Sequence, residues 1–243
     1  TFYTQMKIDP KNPHDPGRDR FVLSKGHCAP AYYATLASLG FFPRSEYEHF
    51  RKLHGILQGH PDAKKVPGVD ASTGSLGHGI LIAAGTAIAA RVLGKDYYTY
   101  VVTGDGELDE GSNWEGLMTI RHYNLTNCIT IVDRNHCMID GNTEDVMKLE
   151  PLADKFVAFG FHTIVCEGNN IVSLCKAIDE AHKTKDKPTV IVADTIKGVG
   201  IKLTSGNYKW HYGAIDEEMA KVAAKDLDEY SAERIARCGK EFE

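Results

Sequence analysis

Two residues at the ends of neighbouring apolar runs offer hard oxygen ligands. Asp105 lies in Gly104-Asp105-Gly106, directly after Tyr97-Tyr98-Thr99-Tyr100-Val101-Val102-Thr103, and Asn135 closes Cys128-Ile129-Thr130-Ile131-Val132-Asp133-Arg134-Asn135. Both runs are rich in β-branched and aromatic residues and read as strands. Adjacent parallel strands bring their ends together, so a carboxylate and an amide carbonyl from successive strand ends can share one cation. The flanking glycines let backbone amides approach a phosphate closely. Asp-Gly after a strand is by itself often only a turn; its pairing with Asn135 makes a metal-diphosphate cradle the better reading. Mg²⁺ suits this oxygen set, and Ca²⁺ or Mn²⁺ could substitute. Cys137 lies past the second strand end, where its backbone carbonyl can face the same ion whatever its thiol does.

Three histidines stand in suggestive settings: His27 after Ser24-Lys25-Gly26, His60 in Gly59-His60-Pro61, and His211 after Trp210. Imidazole can donate a hydrogen bond and move a proton near neutral pH, although a lone histidine is as often an ordinary surface or core ring. His14, His49, His54, His122, His136, His162 and His182 show no spacing that would converge on zinc.

These residues need a scaffold. A chain of 243 residues with a 42% apolar fraction can bury one substantial core, and a single domain over 1–243 is expected. A net charge of -5 without a Lys/Arg stripe argues against a nucleic-acid partner. The longest uncharged apolar stretch, Leu76 to Ala90, falls short of the roughly 20 residues of a membrane span and reads as a buried helix. Cys28, Cys128, Cys137, Cys166, Cys175 and Cys238 form no CxxC pair, which fits free thiols and a cytoplasmic setting. The chain opens on Thr1 without an initiator Met, so a trimmed start is expected.

Residues 1–20, rich in Pro, Asp, Asn and Arg, read as an irregular connector. Helices are expected at Ala31–Leu39 and at Ser45–Leu53, the latter through a capping box of Ser45 and Glu48, with a glycine-rich loop at Gly59–Gly79. An alternation follows: helix Ile80–Leu93, strand Tyr97–Thr103, helix Glu110–Tyr123, strand Cys128–Asp133, helix Leu152–Phe159, strand His162–Cys166, helix Ile171–Lys183, strand Thr189–Ala193. Such a series builds an α/β fold, a doubly wound parallel sheet with helices on both faces. Residues 216–238 hold a C-terminal amphipathic helix whose stripe is Met219, Ala223, Leu227 and Tyr230.

The segment Gly104-Asp105-Gly106-Glu107-Leu108-Asp109-Glu110-Gly111 through Asp133-Arg134-Asn135-His136-Cys137-Met138-Ile139-Asp140-Gly141 resembles the thiamine-diphosphate motif of transketolases. Ser24-Lys25-Gly26-His27, Gly59-His60-Pro61, Ser72-Thr73-Gly74-Ser75-Leu76-Gly77 and Lys197-Gly198-Val199-Gly200 with Trp210-His211 resemble the family's other signatures, in the same order. The resemblance covers nearly the whole chain. It stops where a full-length member would continue into its pyrimidine-binding and C-terminal domains, as in the N-terminal subunit of a split transketolase.

The resemblance implies the diphosphate-binding domain of the thiamine-diphosphate fold. It implies Mg²⁺ held by Asp105, Asn135 and the Cys137 carbonyl, and cofactor contacts from His27, Gly74, Ser75, Leu76, Gly106, Glu107, Asn135 and His211. His27, His60 and His211 would be the catalytic histidines. The partner would be a C-terminal transketolase subunit carrying the pyrimidine-binding domain and the activating glutamate, in an α2β2 assembly acting on sugar phosphates of the pentose phosphate pathway. Glu110 and Glu115 would lie toward that interface. His78 departs from the family's glutamine, and the family's further histidine and Gly-Gly pair upstream of residue 1 are absent here. A 2-oxoacid dehydrogenase or deoxyxylulose-phosphate-synthase type subunit shares the metal motif. A non-catalytic cofactor-binding assembly subunit is the alternative from another class.

Overall fold

The computed structural model describes residues 1–238, with side chains through 236. The last five positions of the expected 1–243 domain, and the Cys238 thiol, lie outside the described residues. Five strands, β1 (Arg20–Leu23), β2 (Thr99–Gly104), β3 (Cys128–Arg134), β4 (His162–Glu167) and β5 (Thr189–Asp194), form one sheet in the order β1-β2-β3-β5-β4. Every pairing is parallel. The helices are α1 (Ala29–Leu39), α2 (Gly79–Val92), α3 (Gly111–His122), α4 (Thr143–Val146), α5 (Leu152–Ala158), α6 (Ile171–Lys183) and α7 (Glu217–Cys238).

Side chains alternate across a strand, so each central strand must be apolar twice over. Phe21, Leu23, Tyr100, Ile129, Ile131 and Ile191 pack with Tyr33 and Leu36 of α1 and with Ala177, Ile178 and Ala181 of α6. Val22, Val101, Val132, Val190 and Val192 pack on the other face with α2, α3 and α5, through Ile80, Ala84, Leu117, Ile120 and Phe156. The doubly wound parallel sheet with helices on both faces is therefore the observed architecture. The apolar Leu76–Ala90 stretch is largely the buried helix α2, and among the described residues no helix is long and apolar enough to cross a membrane.

One local expectation differs from the structure and two gain detail from it. Ser45–Leu53 is not an α-helix. A 3₁₀ stretch over Arg44–His49 follows Pro43, no side chain caps it, and none of its residues is buried, so nothing offsets the cost of extending it. Backbone turns with positive φ at Arg51 and His54 follow. The segment 1–20 is irregular but anchored: Phe2 is 8% exposed and packs its ring 4.7 Å from Phe21. Arg18, also buried, donates to both oxygens of Asp70, and Asp70 accepts from the Phe21 amide at 2.9 Å. This strap delivers β1, a four-residue edge strand too short for its period to be read in sequence. The α7 stripe is largely unburied. Leu227 is 43% exposed, and the buried position on that helix is Asp226, whose carboxylate accepts from the Lys202 amide at 2.9 Å.

Candidate functional site

The last rung between β2 and β3 pairs Gly104 with Asp133. Asp105 and Asn135 therefore leave adjoining strand ends at the C-terminal edge of the sheet, where parallel α/β sheets bind ligands. The Asp105 amide still donates to the Asp133 carbonyl at 3.2 Å, which locks the two exits together. A cleft of about 910 Å³ opens over this edge. His27, His60, Gly74, Leu76, Asp105, Gly106, Glu107, Asn135, Cys137 and His211 all line it; Ser75 is exposed and does not.

Asp105 is 1% exposed, and its carboxylate is organised from three sides. Oδ1 accepts from the Gly106 amide at 2.8 Å. Oδ2 accepts from the His136 amide at 2.6 Å and from Arg134 Nη1 at 2.9 Å. Asn135 is oriented just as closely, with Nδ2 donating to Asp133 Oδ2 at 3.2 Å and Oδ1 accepting from the Cys137 amide at 3.2 Å. The Cys28, Cys128, Cys137, Cys166 and Cys175 thiols are free.

Glu107 touches the cleft but directs its carboxylate into the protein. Oε1 accepts from Ser24 Oγ and from the Gly77 amide, the latter at 3.0 Å. Oε2 accepts from Thr103 Oγ1 at 2.8 Å and from the Gly104 amide at 3.1 Å. A carboxylate with four protein donors is a brace between the loop before α2 and the end of β2. It does not project toward a diphosphate, so only the backbone of Glu107 remains for the expected cofactor contact.

The loops around His27 and Gly74 meet closely at Gly26, against the Thr73 hydroxyl and the Gly74 backbone. A Cβ on Gly26 would sit 2.8 Å from the Gly74 amide nitrogen, so only glycine permits this approach. The approach seats His27 at the cleft, with its ring centroid 5.1 Å from that of His211. His211 Nδ1 lies 3.3 Å from Lys197 Nζ. His60 stands exposed on the lip, its ring against Gly74.

Desolvation at the cleft wall, reinforced by Lys25, His211 and Lys197, pushes His27 down to about 4. Desolvation and the same two lysines lower His211. Both rings are thus neutral near pH 7, able to donate one N–H and accept at the other nitrogen. Positive charge in the cleft comes instead from Lys197 and from Lys25. Burial works against the Lys25 ammonium, but Asp133 at 2.5 Å outweighs it and raises its pKa. The folded His27 ring binds fewer protons than the unfolded one between about pH 4 and its ordinary 6.5, so this residue makes stability rise with pH through that window. An NMR titration should find the His27 ring signals unchanged from pH 8 to 6 and moving only as the pH approaches 4; a midpoint near 6.5 would overturn this.

Lys25, Lys197, Asp133 and Arg134 join the site without having stood out in the sequence as site residues. Lys25 and Lys197 sit inside the Ser24–His27 and Lys197–Gly200 segments, and a cation beside an anion cradle is the signal that could have found them. Asp133 reads in sequence as a strand end. In the structure it joins Lys25, Asn135 and Thr195 Oγ1 on one carboxylate.

The sequence matches the family model "Transketolase, thiamine diphosphate binding domain" over residues 1–231. The chain belongs to this transketolase family. It is 38% identical over 240 residues to an apulose-4-phosphate transketolase subunit of Phocaeicola vulgatus, covering 99% of this chain and 84% of that protein. It is 39% identical over 231 residues to 6-deoxy-6-sulfo-D-fructose transketolase subunit SqwG of Clostridium sp. strain MSTE9, covering 95% of this chain and 84% of that one. Human transketolase is 36% identical over 227 residues, but the match covers only 36% of its length. The crystal structure of Campylobacter jejuni transketolase superposes with a TM-score of 0.86 at 32% identity, over 92% of this chain and 36% of that one. The chain thus spans about a third of full-length transketolases and most of relatives that are separate subunits.

Three other positions suggested by the family lie outside the cleft. His78 precedes α2 as an exposed residue without a capping bond and is not among the residues lining the cleft. Glu110 and Glu115 are both exposed, at the start and in the body of α3.

Proposed function

We propose that this chain is the diphosphate-binding subunit of a split transketolase. On this reading it holds Mg²⁺ and the diphosphate of thiamine diphosphate and works only with a C-terminal subunit that carries the pyrimidine-binding domain. The supporting observation is the Gly104–Asp133 rung, which sets Asp105 and Asn135 at adjoining strand ends beneath the cleft that His27, His211, Lys25 and Lys197 also line. The donor chemistry fits: one carboxylate, one amide carbonyl and the backbone carbonyl of Cys137 are hard oxygens that leave room for phosphate and water oxygens around Mg²⁺. Among the described residues no three His, Cys, Asp or Glu converge as a softer metal would require. A Cβ on Gly104 would find no heavy atom closer than 3.8 Å, so the floor of the cleft is open to an approaching ligand.

Thiamine diphosphate, when bound, supplies a nucleophilic carbon that accepts and releases a two-carbon ketol unit. The chain's own residues anchor and poise. Lys25 and Lys197 offset phosphate charge, the neutral His27 and His211 donate to phosphate or sugar oxygens, and His60 on the lip reaches a sugar hydroxyl. Substrates of this class are anionic ketoses and aldoses, sugar phosphates first, in keeping with the phosphorylated and sulfonated sugars in the relatives' names. An α2β2 assembly in the cytoplasm, serving pentose-phosphate chemistry, completes the reading.

The purified chain should bind thiamine diphosphate weakly and turn over no ketose phosphate alone, and gain turnover when mixed with the C-terminal subunit. Ketol transfer by the isolated chain would overturn the division of labour. A complex that binds the cofactor but turns over no member of a ketose and aldose phosphate panel would favour a non-catalytic subunit.

A further inference from the structure

Lys197 and His211 stand at the two ends of one closed loop. The Lys197 carbonyl accepts from the Gly206 amide at 2.8 Å, and Thr204 Oγ1 donates to the Gly198 carbonyl at 2.9 Å. Gly198 has a φ of +64°, and a Cβ there would lie 2.7 Å from Thr204 Oγ1, so only glycine lets the two arms of the loop meet. Asn207 Oδ1 then accepts from the Lys209 amide at 3.1 Å and starts the 3₁₀ turn Tyr208–His211. The chain thus returns His211 to Lys197, with Nζ 3.3 Å from Nδ1, and both residues line the cleft.

An ammonium donates and never accepts, so the bond from Lys197 requires a lone pair on Nδ1. A neutral imidazole carries one N–H and one acceptor nitrogen, which places the proton of His211 on Nε2. Desolvation and the nearby lysines keep the ring in that neutral form. The ring occupies one ammonium donor of Lys197, and two remain for phosphate oxygens, so the bond is compatible with a charge-offsetting role.

We infer that Lys197 is a positioning residue that fixes the His211 tautomer, so that the ring meets the cleft through an Nε2–H, as a donor to phosphate or sugar oxygens and not as a proton acceptor. This rests on the reading of His211 as a cofactor or substrate contact. A ring free to exchange tautomers would turn a lone pair toward an anionic oxygen part of the time, and excluding that form would weaken binding.

Nitrogen-15 NMR of the histidine-labelled chain at pH 8, without ligand, reads the tautomer directly, with His211→Ala identifying the signal. The wild type and Lys197→Arg, whose guanidinium also only donates, should show the Nε2–H form alone, and Lys197→Met should show both forms. A wild-type ring carrying its proton on Nδ1, even in part, or a Lys197→Met ring still confined to Nε2–H, would overturn the inference. Calorimetric binding of thiamine diphosphate in MgCl₂ tests the consequence. Lys197→Met should weaken binding about tenfold in the wild-type background but only about threefold in a His211→Ala background, because part of its effect passes through that ring. Equal losses in the two backgrounds would show that Lys197 serves phosphate charge alone and would likewise overturn it. Failure of the wild-type chain to bind thiamine diphosphate would strike the proposed function instead, and the ligand-free spectra would still decide whether Lys197 sets the tautomer.

Discussion

Replacing Asp105 with alanine is expected to weaken Mg²⁺-dependent thiamine diphosphate binding by about a hundredfold or more, above the range typical for a residue one step removed from a metal. The side chain is the single carboxylate among the proposed ligands, so its loss removes the only full negative charge that the protein brings to the ion. Activity of the complex with the C-terminal subunit should be lost with it. The fold should survive. Arg134 forfeits one partner but keeps Thr143, Glu144 and Glu150, and the open edge of β2 and β3 remains joined at the Gly104–Asp133 rung. A stability loss of about 1–3 kcal/mol, the usual cost of unpairing a buried polar group, is the expected accompaniment. Asp105→Asn retains a carbonyl oxygen and should fall between the two. Calorimetry with and without Mg²⁺, beside a urea melt of each variant, separates the effects. Unchanged Mg²⁺-dependent binding in Asp105→Ala would dismiss the metal assignment.

The proposed metal ligands were legible in the sequence while their supports were not, because of how each is encoded. Asp105 and Asn135 each sit one residue past strands whose β-branched runs announce themselves, and a parallel neighbour relation then places both at one edge. The helices α1, α2, α3, α5 and α6 likewise follow from apolar periodicity and fall within two residues of the expected bounds. Arg134 and Glu107 carry no such signal. Each is a charged residue beside a motif, where the ordinary expectation is a solvated side chain, and each is buried only because distant segments supply partners: Thr143 and Glu150 for the first, Ser24 and Gly77 for the second. The same holds for Arg18 and Asp70, which tie the 1–20 segment down across 52 positions. Ser45–Leu53 fails in the opposite way. Its local capping pattern is present, but Tyr47 and Leu53 stay exposed while Phe50 alone reaches the core, and a short helix without a buried face does not persist.

Glu107 turns that asymmetry into the second large effect. Glu107→Ala would leave Ser24 Oγ, Thr103 Oγ1 and the amides of Gly77 and Gly104 without their acceptor in a region that is 3% exposed at the glutamate itself. Hydrogen bonds to a charged group contribute about 1.5–3 kcal/mol each and are not additive, so a net loss of about 3–5 kcal/mol is expected, a large part of the stability of an ordinary domain. Glu107→Gln is the more discriminating change. Its carbonyl can still serve Ser24 and Gly77, and the Thr103 hydroxyl can turn to accept from the new amide, but the Gly104 N–H is left facing another donor. The loss should shrink to about 1–3 kcal/mol. Thiamine diphosphate affinity should fall in the same order as stability, because the carboxylate ties Gly77, next to the cleft residue Leu76, to Gly104 at the cleft floor. If Glu107 were instead a direct cofactor contact, Glu107→Gln would lose binding while its urea midpoint stayed at the wild-type value. That result would replace the brace with a ligand.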